Sequence, residues 1–344
     1  MPEAPAPASA PGPAAPHAAG GPVVGSAVDS AGNLVKRGEL LDSILHRRLV
    51  VVTGTGVSLQ TVGHPGADTD VASWPGLLTH GLGYCLARDL ISKPAAAIVE
   101  AQVAEGSAGS LIEAAQKIHD CLDQRVDARR FWMRETIGQL KVKDAGLITA
   151  IRDLGGLIAT LNYDQLTEDV TGLTFLQWRQ QAEITRRVRN REKDFVLHIH
   201  GRWDDPGSIV LDRKSYEEIV KNSQMRELLG QFARFETLLF VGCGQTFFDP
   251  NFQSLLDWAH GALSGFEHRH FVLCRQSEEP GFYEKLKPHG HLEPLVYGQA
   301  HADLLPFLAK LASEGSAGPA AAPAVPTGPK LLTPAEVWKR QSRL

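Results

Sequence analysis

The sequence predicts an α/β protein: a Rossmann-like, doubly wound, mostly parallel sheet with an additional helical layer. Two observations predict it. Short apolar runs bounded by Gly, Pro or polar residues recur along the chain; most are β-branched or aromatic and continuous rather than alternating, as in strands covered on both faces. Between them lie segments whose apolar residues step by three and four, the spacing of one helix face. Strands alternating with helices, without a fixed-period repeat, imply a parallel sheet with helices on both sides.

Residues 1–33 are mostly Ala, Pro and Gly, too poor in burial-competent side chains to offset the entropy of ordering, so a disordered tail is expected there. A central domain follows over 34–312. Its strands are predicted at Leu49–Thr53, Leu157–Leu161, Phe195–His200, Thr237–Gly242, His270–Cys274 and Leu292–Tyr297. Helices are predicted at Pro75–Ile91, Asp144–Leu154, Lys214–Phe235, Pro250–Leu263 and His301–Leu311; Pro75 and Pro250 suit first-turn positions, where a missing N–H is harmless. Leu111, Ala115, Ile118, Leu122, Val126, Met133, Ile137 and Leu140 form one apolar stripe. They belong to a helical insertion at about 94–142, too long for a simple crossover. Residues 313–344 read as an Ala/Pro-rich linker and short tail, in which Leu331–Trp338 forms either a capped helix presenting Trp338 or a frayed end.

Composition narrows the class. The 344 residues carry 35 Lys+Arg against 39 Asp+Glu, a formal charge of −4, which argues against a protein devoted to non-specific binding of nucleic acid or anionic membrane. Cys85, Cys121, Cys243 and Cys274 are scattered without a CxxC pair, so neither a zinc ribbon nor a disulfide framework is expected. No apolar run approaches the ~20 residues that cross a bilayer. The amino terminus lacks the basic start of a secretory signal. A cytoplasmic protein is expected.

In a doubly wound sheet ligands lie beyond the carboxyl ends of the strands. The first strand runs into Thr53-Gly54-Thr55-Gly56-Val57-Ser58, two glycines that either form a plain turn or bring backbone N–H groups against a pyrophosphate. The second ends in Leu161-Asn162-Tyr163-Asp164. Helix capping accounts for Asp164 but not for Asn162. The third ends in His198-Ile199-His200-Gly201, where His200 is a candidate general base at neutral pH. The fourth ends in Val241-Gly242-Cys243-Gly244, followed by Asp249-Pro250-Asn251, with Asp249 placed to cap a helix. Together these ends would make a nucleotide crevice.

Gly-Thr-Gly-Val-Ser, Thr-Leu-Asn-Tyr-Asp, His-Gly and the late Gly-rich end occur in the order found in sirtuins. Over about 49–311 the chain resembles the divergent sirtuin-like NAD hydrolases of bacterial antiphage defence. The resemblance implies that Gly54, Gly56 and Ser58 hold the NAD phosphates and nearby ribose. Asn162 and Asp164 would face the nicotinamide ribose and carboxamide, His200 would be the base, and Gly242 would line the adenosine side. It also implies NAD as substrate, nicotinamide and ADP-ribose as products, homo-oligomerisation, and a separately encoded sensor such as a nucleic-acid-processing ATPase or an Argonaute-type protein. Sirtuin deacylases usually add a four-cysteine zinc module, and a Phe-Gly-Glu element that clamps an acyl-lysine peptide as an extra strand. Here the cysteines do not pair, and Ile209-Val210-Leu211-Asp212-Arg213 stands at the comparable place. The nucleotide side is kept better than the peptide side, which favours NAD hydrolysis.

Three alternatives remain at this stage: a NAD-dependent protein deacylase, a catalytically silent NAD or ADP-ribose sensor, and a metal-dependent hydrolase built on the His-x-His pairs His198/His200, His268/His270 and His289/His291.

Overall fold

β1 (Leu49–Thr53) takes the middle of the sheet because all five of its residues are buried. The computed structural model describes residues 30–63, 70–244, 268–289 and 291–316. Among them β1 is joined by β2 (Leu157–Thr160), β3 (Thr174–Gln177), β4 (Phe195–His198), β5 (Thr237–Val241), β6 (His270–Arg275) and β7 (Leu292–Gly298). The order is β3-β4-β2-β1-β5-β6-β7, with every neighbouring pair parallel. The chain winds outward from β1 on one side, returns, and winds outward through β5 on the other. The switch point therefore flanks β1, where open α/β sheets bind ligands.

Strand periodicity divides the interior into two cores. Leu49 and Val51 face one, with Ile158, Val196, Leu239 and Phe271. Val50 and Val52 face the other, with Ala159, Leu197, Phe240 and Val272. The first core is covered by α1 (Ala31–Leu45), α2 (Thr55–Thr61), α3 (Trp74–Leu86), α4 (Lys93–Glu105), α5 (Ala108–Leu122), α6 (Ala128–Glu135), α7 (Gly146–Asp153), α8 (Leu166–Thr171) and α13 (Leu304–Ser316). The second is covered by α9 (Gln181–Arg189), α10 (Arg213–Lys221), α11 (Ser223–Phe235) and α12 (Glu279–Leu286).

Several expectations need correction. α1 starts at Ala31, ahead of the domain start expected at residue 34: Ser30 caps it by accepting from the Asn33 N–H. Asn33 is buried, its side chain donating to Val296 O and accepting from Val296 N, both at 3.0 Å. At the other end α13 runs to Ser316, past the expected limit of 312. The stripe from Leu111 to Leu140 is not one helix. It breaks after α5, where Asp127 takes φ 61° and Val126 is 93% exposed. The expected helix Lys214–Phe235 divides at Asn222, which leaves helical geometry and caps α11 through the Met225 N–H. β3 is an additional, half-exposed edge strand. The helix expected at Pro250–Leu263, the cap at Asp249, most of the amino-terminal tail and the Trp338 segment lie outside the described residues. Among the described residues no helix is long and apolar enough to cross a membrane.

Candidate functional site

The ends of β1 and β5 are welded by three glycines. Gly54 N–H donates to Val241 O at 3.0 Å and Gly56 N–H to Gly242 O at 2.9 Å. A Cβ on Gly54 would stand 2.7 Å from both Cys243 Cα and Gly242 O. Gly242 has φ +67°, and a Cβ there would meet Val57 N at 2.7 Å. The N–H groups of Gly54 and Gly56, expected from the sequence to face a pyrophosphate, both donate to β5 and its end. The glycines bring two backbones together, and Thr55 is the residue of this turn that lines the cleft.

Beyond β2, one hydrogen-bonded chain fixes three side chains. Asn162 Nδ2 donates to Gly54 O at 2.9 Å and to Ser58 Oγ at 2.8 Å. Ser58 in turn donates to Asp164 Oδ2 at 2.6 Å, and Asp164 Oδ1 accepts from the N–H of Leu166, the first residue of α8, at 3.0 Å. Ser58 is buried behind the cleft and acts as the connector between the other two. Burial pushes the Asp164 carboxyl up, against the lowering effect of its bonds to Ser58 and Leu166. With both amide hydrogens of Asn162 committed, its Oδ1 is left buried without a partner. Such an acceptor costs about 1–3 kcal/mol, the kind of orphan that points to a ligand.

Two histidines leave β4 for different tasks. His198 Nε2 lies 2.8 Å from Glu168 Oε1 and Nδ1 lies 3.3 Å from Asn162 O, so this ring braces the β2 loop from behind. His200 packs edge-on against Tyr216 with ring centroids 5.4 Å apart. Burial alone lowers its pKa to about 4, so the imidazole is neutral at pH 7. The His198/His200 pair therefore does not converge as a metal-ligand pair. At the far, amino-terminal edge of the sheet, His268 meets Thr237 Oγ1 at 3.0 Å and His270 Nδ1 accepts from the Leu238 N–H at 3.2 Å. Among the described residues no group of three or more His, Cys, Asp or Glu is placed to hold a metal ion.

Asn162, Asp164 and His200 line one cleft with Thr55, Val71, Trp74, Tyr163 and Tyr216, among others. Ser58 is joined to it through Asn162 and Asp164, and Gly54 through its carbonyl, which accepts from Asn162; Gly56 and Gly242 are not among the lining residues. Tyr216 stands on α10, whose cap Asp212 meets His119 Nδ1 of α5 at 2.8 Å. Burial works against ionisation of Asp212, yet its bonds to His119 and Ser215 hold it down at about 2. The helical layer is thereby clipped to the wall of the site. Sequence reasoning missed Trp74, Tyr163 and Tyr216. A Trp beside a Pro at a helix start, and a Tyr between Asn162 and Asp164, were the available signals.

The stretch after His200 is closed upon itself. Val210 N–H donates to His200 O at 2.9 Å, Tyr163 Oη donates to Val210 O at 2.8 Å, and Leu211 N–H donates to Ser215 Oγ at 3.0 Å.

A parallel sheet with a cleft at its switch point defines an α/β protein of the Rossmann-like kind, the architecture in which open sheets bind ligands beyond their strand ends. Residues 156–295 match the family model described as a SIR2-like domain. Over that stretch the chain is similar to SIR2-like domains, in keeping with the sirtuin resemblance. Asn162, Asp164, His200 and Gly242 fall within the matched residues, whereas Gly54, Gly56 and Ser58 precede them.

Proposed function

We propose that the protein hydrolyses NAD at the nicotinamide–ribose bond, giving nicotinamide and ADP-ribose. One observation carries this reading: the orphaned Asn162 Oδ1 and the neutral His200 imidazole share a single cleft at the switch point. The residues suit the substrate, since the cleft pairs a fixed acceptor with aromatic walls for a flat ring. Nicotinamide is a cationic leaving group and departs through an oxocarbenium-like transition state with little acid assistance. Asn162 Oδ1 accepts from the attacking water or a ribose hydroxyl. The water oxygen bonds to the anomeric carbon as the C–N bond breaks, the bonding pair leaves with nicotinamide, and His200 takes the released proton. A base with a pKa of about 4 suffices because the electrophile, not the nucleophile, is activated.

About 40 Å³ is free in the cleft, enough to hold ordered water beside Asn162 and His200. The resemblance further supports a NAD-depleting role in antiphage defence, with self-assembly and a separately encoded sensor restraining the activity.

The test is to incubate the full chain with NAD and separate the products by chromatography. Asn162→Ala and His200→Ala are expected to lower nicotinamide release by about 10²–10⁴-fold. Release unchanged by Asn162→Ala overturns the assignment, and release that requires an acetyl-lysine peptide marks a deacylase.

A further inference from the structure

Among the described residues lining the cleft, two buried side-chain atoms lack a hydrogen-bond partner: the acceptor Asn162 Oδ1 and the donor Trp74 Nε1. The first belongs to the reaction proposed above. The second is unclaimed, and an unpaired indole N–H in a wall of Val71, Ala72, Leu77 and Ile137 is costly for the same reason as an unpaired carbonyl.

The segment bearing Trp74 is built to hold it there. Asp70 O accepts from both the N–H and the hydroxyl of Ser73 at 2.8 Å, and the Ser73 hydroxyl caps α3 through the Gly76 N–H at 3.1 Å. A Cβ on Gly76 would stand 2.0 Å from Asp70 O, so only glycine permits the loop to fold this tightly onto the helix start. Trp74, the first residue of α3, is thus fixed by the turn before it and the helix after it. A pre-positioned donor without a partner is what a site offers to a ligand's acceptor.

We propose that Trp74 is the specificity-determining residue for the leaving base, its indole N–H donating to the carboxamide oxygen of the nicotinamide ring. This rests on the hydrolase reading and refines it. Asp164, expected from the sequence to bind the carboxamide, has each oxygen already bonded, one to Ser58 and one to Leu166 N–H. The Tyr163 hydroxyl is donated to Val210 O. Trp74 supplies what those two do not, an uncommitted donor on a flat apolar surface.

The experiment measures inhibition of NAD cleavage by three free bases, nicotinamide, thionicotinamide and pyridine, with ADP-ribose binding by calorimetry as the reference. The thiocarbonyl is a weak acceptor and pyridine has none at that position. The wild type should prefer nicotinamide to either by about tenfold, as expected when a buried donor loses its partner. Trp74→Phe keeps a ring and removes the N–H; it should bind nicotinamide about tenfold more weakly, leave pyridine unaffected and bind ADP-ribose as before. Equal inhibition of the wild type by nicotinamide and pyridine overturns the proposal without any variant. So does a folded Trp74→Phe protein that still discriminates, while ADP-ribose binding and NAD cleavage leave the hydrolase reading standing. A wild type that neither binds nor cleaves NAD overturns both.

Discussion

Replacing Ser58 by Ala removes one oxygen and unmakes two bonds. Asn162 Nδ2 loses its acceptor at 2.8 Å and Asp164 Oδ2 loses its donor at 2.6 Å, both inside the protein. Each orphaned group costs about 1–3 kcal/mol. Partial relaxation leaves a total of about 2–4 kcal/mol, a fall in melting temperature of roughly 5–10 °C for a domain of this size. The loss should depend on pH in a stated sense. Burial already raises the Asp164 carboxyl, and the Ser58 bond lowers it. Without Ser58 the charged form is penalised further. A group with a raised folded pKa loses stability as pH rises through that value, so Ser58→Ala should be most destabilised near neutrality and least in acid. Thermal unfolding followed by circular dichroism from pH 4 to 8 measures both effects. A melting temperature within 1 °C of wild type at pH 7 would refute the connector role assigned to Ser58. Loss of catalysis without loss of stability would instead make Ser58 a ligand contact.

Two further outcomes follow from the same geometry. Burial lowers the His200 pKa from 6.5 to about 4, so the unfolded chain binds a proton there that the folded one refuses. The stability His200 contributes is complete above pH 6.5 and is lost as pH falls toward 4, on the order of 3 kcal/mol. Acid unfolding of His200→Phe should be correspondingly shallower, and an identical pH profile would contradict the burial argument. Gly242→Ala combines a left-handed φ of +67° with a Cβ 2.7 Å from Val57 N; the conformation alone costs about 1–2 kcal/mol and the backbone clash adds to it. Its melting temperature should fall by several degrees, and an unchanged value would mean that β1 and β5 are not held as described.

The strands that sequence reading located best are those whose burial is local and complete. β1 coincides with its predicted bounds because five successive buried residues leave no other period to fit. β3 was not legible: it has four residues, pairs on one side only, and begins with the exposed Thr174. The start of α1 was not legible either, since Asn33 is held by Val296, 263 positions away in sequence. The site divides similarly. Asn162, Asp164 and His200 follow strands, and strand ends converge in a doubly wound sheet. Trp74 and Tyr216 reach the cleft from helix starts that only the packed structure brings to it. For Ser58, Gly54 and Gly56, the sequence indicated the place, and only the packed structure shows the protein groups they bond. A glycine that lets a phosphate approach and one that lets a neighbouring strand approach have the same signature, and the two are told apart only by where the N–H points.

That distinction also bears on which bond-breaking chemistry the cleft supports. A peptide bound as an added strand needs a row of unsatisfied backbone groups beside the catalytic base. After His200 the chain offers none at Val210, whose N–H and C=O are both engaged, and the next N–H, that of Leu211, is held by Ser215. Ile209, Val210 and Leu211 are all buried. Freeing this edge would break at least three hydrogen bonds and expose three apolar side chains, a cost that a short acyl-lysine segment would have to repay before any affinity appeared. A water molecule meets no such barrier. It needs only the small space already present beside Asn162 and His200, so the closed edge is in keeping with the proposed hydrolysis rather than with transfer to a peptide.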